Sequence, residues 1–164
     1  MIKKIIGVMS GKGGVGKSTM STMIAKNLAA RGNTVGILDA DITGPSIPRL
    51  LHIENERARG TEEVIYPVES PEGIKVISLN LLLENEEEPV IWRGPAIVGI
   101  VKQFWENVQW GDLDYLIIDM PPGTGDVPLT VMQTIPVSGM VMISVPHDMI
   151  SLIVANSINM VKKM

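Results

Sequence analysis

The stretch GKGGVGKST, Gly11 to Thr19, lies between a short apolar run and a helical repeat, and few folds accommodate that succession. Ile5 to Met9 reads as a buried strand, and Lys17 to Arg31 reads as a helix, with Met20, Ile24 and Leu28 recurring as one apolar stripe. Gly32 is the expected stop. Between them, Gly11, Gly16, Lys17 and Ser18 fit the spacing G-x-x-x-x-G-K-[ST]. Glycines there let the backbone turn tightly and aim N–H groups inward, and the helix start adds its positive dipole end. Such a loop cradles phosphates. Lys17 is expected to reach the β- and γ-phosphates, and the Ser18 hydroxyl to ligate Mg²⁺, which takes hard oxygen ligands. The competing reading is a glycine-rich turn that matches by chance. The flanking strand and helix argue against it.

The rest of the chain repeats the strand and helix alternation. Val35 to Leu38, Val64 to Tyr66, Ile74 to Leu79, Tyr115 to Ile118 and Met140 to Val145 read as strands. Ala96 to Val108, Val127 to Ile135 and the chain from Asp148 onward read as helices. Thr43 to Pro48 reads as a turn, Glu54 to Glu63 as a polar surface excursion, and Glu84 to Glu88 as a solvated acidic loop. Strands rich in Ile, Val and Leu, separated by helices, predict an α/β fold: a mostly parallel sheet with helices on both faces. One domain of 164 residues is expected. The eleven methionines are expected mainly in the core.

A phosphate loop also needs carboxylates for the metal shell and the attacking water. Asp119 ends the strand YLIID, and Asp39 and Asp41 end VGILDAD. Strand C-termini of a doubly wound sheet converge on the ligand crevice, so all three carboxylates are candidates. Turn formation or helix capping is the plainer reading of each. PPGTGD, Pro121 to Asp126, is either a loop that senses the γ-phosphate or an ordinary connection with Asp126 as a helix cap.

Composition limits the alternatives. A net charge of −4 does not suggest a broad basic surface, so no nucleic-acid partner is expected. No apolar run reaches the roughly 18 residues of a membrane span, and the apolar run near the N-terminus stops too soon for a signal peptide. No membrane partner and a cytoplasmic setting are therefore expected. There is no cysteine, which excludes disulfides and thiolate metal sites within these residues.

Lys12, the extra lysine of KGGVGKST, carries a resemblance. The motif resembles the deviant Walker A sequence of the nitrogenase-iron-protein, ParA and MinD class of P-loop ATPases. LDADITGPSIPRLL, VIWRGP, DYLIIDMPPGTGD and VPHD further resemble the Mrp/ApbC family of iron–sulfur cluster carrier ATPases. The resemblance implies a slowly hydrolysing ATPase, a nucleotide-bridged homodimer, and iron–sulfur scaffold or recipient proteins as partners. It implies that Lys12 crosses the dimer interface to the other subunit's phosphates; a solvated surface lysine is the alternative. It makes Gly11, Lys12, Gly13, Gly14, Val15, Gly16, Lys17, Ser18 and Thr19 the ATP-binding loop. Lys12, Lys17 and Asp41 become catalytic, with Asp41 activating water, and Ser18, Asp39 and Asp119 hold Mg²⁺. His147 departs from the family, where a glutamine is usual, and reads as an exposed loop residue. Family members also continue past residue 164 with another strand, an adenine-contacting segment and a C-x-x-C motif. A fragment or a short form is therefore expected, and an iron–sulfur cluster is expected of the family although these residues hold no thiolate for it. Two other readings remain: a ParA- or MinD-like positioning switch, and a nucleotide-binding fragment without turnover.

Overall fold

Runs of Ile, Val and Leu make strands that can be buried on both faces, and the chain sets its longest ones side by side. The computed structural model describes residues 1–11, 16–41, 46–61, 63–78, 81, 94–121 and 126–143. The elements are β1 (Ile2–Ser10), α1 (Lys17–Ala30), β2 (Val35–Asp39), α2 (Ser46–Leu50), β3 (Arg59–Gly60), β4 (Ile65–Tyr66), β5 (Val68–Glu69), β6 (Lys75–Ser78), α3 (Gly94–Asn107), β7 (Leu113–Asp119), α4 (Asp126–Thr134) and β8 (Gly139–Ile143). Six strands form one sheet in the order β5-β6-β2-β7-β1-β8, while β3 and β4 pair separately as a short ribbon. Every pairing in the large sheet is parallel except β5 with β6.

Alternation along the strands divides the core into two layers. Ile5, Met9, Leu116 and Ile118 pack with Val101 and Phe104 of α3 and with Val131 of α4. Val8, Ile37 and Ile117 pack on the other side with Ala25 of α1 and Ile47 of α2. Helices thus cover both faces, as the strand composition predicts. No helix among the described residues is long and apolar enough to cross a membrane.

Several sequence expectations need correction. The stripe of Met20, Ile24 and Leu28 holds only in part: Ile24 and Leu28 pack half-buried against the core, but the most buried face of α1 lies beside them. That face is Lys17, Ser21, Thr22 and Ala25, while Met20 is 39% exposed and Met23 51%. Small and hydroxyl side chains lie against the sheet because buried carboxylates at the strand ends require donors there. Met20, Met23 and Met1 also depart from a core role, although Met9, Met120 and Met132 are buried. Part of the expected turn from Thr43 to Pro48 is helical, since Ser46–Leu50 forms α2 with Pro48 in its first turn, where a missing N–H is tolerated. The polar excursion includes β3, which pairs antiparallel with β4 through Arg59 and Tyr66. Val68–Glu69, not expected as a strand, returns along β6 as an antiparallel edge. The expected acidic loop, the helix from Asp148 and His147 lie outside the described residues.

Gly36 marks where β2 meets its neighbours most closely. A Cβ at that position would stand 2.8 Å from Leu113 Cδ1 and 3.0 Å from the Trp110 ring. Gly36→Ala is therefore expected to overpack this layer and to lower stability by about 1–3 kcal/mol. Urea denaturation measures the change, and an unaltered midpoint would contradict the packing described.

Candidate functional site

Parallel strands end at a common edge, and here that edge gathers acids. Asp39 closes β2 and Asp119 closes β7, and the two are paired in register. The ladder extends one residue further on each side: the Ala40 N–H donates to the Asp119 carbonyl at 2.9 Å and the Met120 N–H to that of Val8 at 2.9 Å. Both carboxylates are buried, with Asp119 at 0% exposure.

Helix α1 begins directly over this edge. Gly16 takes φ 92°, a left-handed conformation open to glycine without a Cβ clash. As N-cap it offers no side chain to the first amides of the helix. They keep their capacity to bind an anion, reinforced by the dipole. Lys17 then folds inward and is 5% exposed. Its Nζ donates to Asp119 Oδ1 at 2.7 Å and to Asp41 Oδ2 at 3.1 Å. The Ser18 hydroxyl donates to Asp119 Oδ2 at 2.8 Å, and Ser21 Oγ lies 3.0 Å from Asp119 Oδ1. Asp39 receives the Ser78 hydroxyl at 3.0 Å and the Asp41 N–H at 3.1 Å.

Of the sequence-predicted residues, the structure brings together Gly16, Lys17, Ser18, Asp39, Asp41 and Asp119. Gly11 stands just after the end of β1, and Thr19 lies in the first turn of α1 with an exposed side chain. Lys12, Gly13, Gly14 and Val15 lie outside the described residues, as do Gly123, Thr124 and Gly125 of the segment after β7. Ser21 and Ser78 were missed. A serine inside a helix or at a strand end forms no motif, and only the position of the acids in space reveals it.

Burial pushes the Asp39 carboxyl well above its ordinary value; the nearby Asp119 charge adds to this, while Lys17 and the Ser78 hydroxyl oppose it. A cation placed among these oxygens would relieve that crowding. The donor set suits Mg²⁺: a hydroxyl and hard carboxylate oxygens at one edge. Among the described residues no three His, Cys, Asp or Glu side chains form a ready cage.

A uncapped helix start after a glycine, an inward lysine and strand-end aspartates in a parallel sheet define a P-loop NTPase. The family profile described as "ParA: NUBPL iron-transfer P-loop NTPase" matches residues 1–164, and the chain belongs to that family. An iron-sulfur cluster carrier protein of Clostridium perfringens is 52% identical over 170 residues, covering 99% of this chain and 60% of the relative. A protein of the same name from Methanocaldococcus jannaschii is 48% identical over 98% of this chain and 56% of its own length. The chain thus spans little more than half the length of these curated relatives. Among solved structures, a nucleotide-binding protein from Archaeoglobus fulgidus in complex with ADP matches with a TM-score of 0.84 and 44% identity, over 99% of this chain and 62% of that one. MinD in a MinC:MinD complex from Aquifex aeolicus matches at TM-score 0.71 and 21% identity, over 98% of this chain and 64% of that one, a likeness of fold.

The Asp39 environment makes stability depend on pH. Folding raises the proton affinity of this carboxyl, so its contribution is fully present below the ordinary value of 3.8 and is lost as pH rises through the raised folded value. Without nucleotide or magnesium, the wild-type chain is expected to lose stability across that window, and Asp39→Asn to lose this part of the slope and to be the more stable above it. Urea melts at a series of pH values test this; identical slopes for the two proteins would exclude the buried-acid account.

Proposed function

We propose that these 164 residues form one P-loop ATPase domain that binds ATP at the shared edge of β1, β2 and β7 and hydrolyses it slowly, as the nucleotide-binding part of an iron–sulfur cluster carrier. The observation that carries this reading is the Lys17 ammonium held between Asp119 and Asp41 beside the uncapped start of α1. The names of the carrier relatives and of the ADP-bound neighbour support it.

On this reading Gly11 to Thr19 wrap the phosphates. Lys17 turns from the carboxylates to the β- and γ-phosphates, where its charge matches the transferring group. Ser18, Asp119 and Asp39 hold the magnesium, which when bound neutralises phosphate charge. Asp41, 15% exposed, is reachable by water. Once Lys17 has left it, its carboxylate accepts a proton from water as the water oxygen bonds to the γ-phosphorus. The bond to the bridging oxygen breaks, leaving ADP and phosphate. Lys12 of each chain reaches the nucleotide of the other in a homodimer. Thiolate ligands for a cluster come from outside these residues, which contain no cysteine. Scaffold or recipient proteins as partners and a cytoplasmic location belong to the same reading.

Lys17→Ala is expected to abolish ATP hydrolysis by the chain and to weaken ATP binding. Asp41→Asn is expected to lower kcat by a factor on the order of 10²–10⁴, the scale of general-base catalysis, while ATP affinity stays within a few-fold. Phosphate release and titration calorimetry measure the two. Hydrolysis indifferent to Lys17→Ala would remove the mechanism.

A further inference from the structure

Asp119 has no exposure to water, so both of its oxygens depend on protein donors. Oδ2 accepts from Ser18. Oδ1 accepts from Lys17 Nζ at 2.7 Å and stands 3.0 Å from Ser21 Oγ. Ser21 is itself fully buried, one turn beyond Lys17, and its oxygen is equally close, 3.0 Å, to the Lys17 carbonyl. A hydroxyl carries a single proton and can donate it to one of these two acceptors at a time. While the ammonium sits on Oδ1, either choice leaves that oxygen satisfied. When Lys17 swings to a phosphate, Oδ1 loses its charged donor at full burial, where an unmet anionic oxygen is costly.

We propose that Ser21 is a positioning residue for Asp119: its hydroxyl, keeping its proton, turns its hydrogen bond from the Lys17 carbonyl to Oδ1 as the lysine departs, fixing the carboxylate's rotation so that Oδ2 stays directed at Ser18 and the cation. This inference rests on the nucleotide-binding reading above. It assigns to α1 two successive donors for one oxygen: a lysine that leaves and a serine that stays.

Thr22 supplies the control. Its hydroxyl makes the same kind of bond one residue along, to the Ser18 carbonyl at 2.9 Å, and among the described residues it bonds no carboxylate. The experiment is titration calorimetry of the chain with ADP, with and without Mg²⁺, on the wild type, Ser21→Ala and Thr22→Ala. Ser21→Ala is expected to weaken magnesium–ADP binding at least about tenfold, the scale of one hydrogen bond to a charged group, and magnesium-free ADP, which draws Lys17 away but needs no cation-directed Oδ2, by only a few-fold. Thr22→Ala is expected to keep the wild-type preference for magnesium–ADP. Ser21→Cys, which preserves the shape with a weak donor, gives the same loss and serves where Ser21→Ala does not fold. Equal losses with and without magnesium, or no loss, would overturn the inference while leaving the nucleotide reading intact. A wild-type chain with no preference for magnesium–ADP would instead bring down the nucleotide reading and this inference with it.

Discussion

One buried carboxylate organises this molecule. Asp119 stands at the end of β7, a strand inside the sheet with β2 on one side and β1 on the other. Taking an ionised carboxylate out of water costs several kcal/mol unless donors replace the solvent. Among the described residues its three side-chain donors come from α1: Lys17, Ser18 and Ser21. Their need to reach inward sets the rotation of that helix about its axis. It accounts for polar side chains buried in the first turns of α1 and for methionines toward water, while Ala25, Ile24 and Leu28 further along pack against the core.

A second carboxylate sharpens the constraint. Asp39 lies directly across the ladder from Asp119, and two anions on adjacent strands repel. Asp39 answers with a raised proton affinity and with bonds from Ser78 and the Asp41 amide. Lys17 supplies the positive charge. Lys17 bridges Asp119 and Asp41, and further positive charge beside Asp39 would ease the repulsion that raises its proton affinity.

Much of this was legible in the sequence. The runs in β1, β2 and β7 have no competing pattern, and once those strands are parallel their ends must share an edge, so Asp39 and Asp119 meet there. Lys17 and Ser18 follow from the glycine spacing. What escaped has physical reasons as well. Periodicity weights large apolar residues, so Met20 outranked Ser21 and Ala25 on α1, although small side chains let that helix approach the sheet. Val68–Glu69 is too short for alternation to register, and Arg59–Gly60 is a strand only because Ile65–Tyr66 lies beside it. Ser78 gains its meaning from Asp39, across a neighbouring strand.

The strand order has a temporal consequence. β1 and β2 are made well before β7, yet they do not touch each other, because β7 separates them. Lys17 and Asp119 are 102 residues apart in the chain. On a ribosome, the amino-terminal third must therefore wait, with the inner edges of its strands unpaired and its lysine unpartnered, until a segment made much later slides between them. At ~5–20 residues per second that interval is several seconds or longer. During it the nascent chain exposes two apolar strands with open edges, the state most in need of chaperone protection. The Lys17 end of α1 is thus synthesised well before the strand that gives it its partner, and it acquires its final form only when β7 arrives.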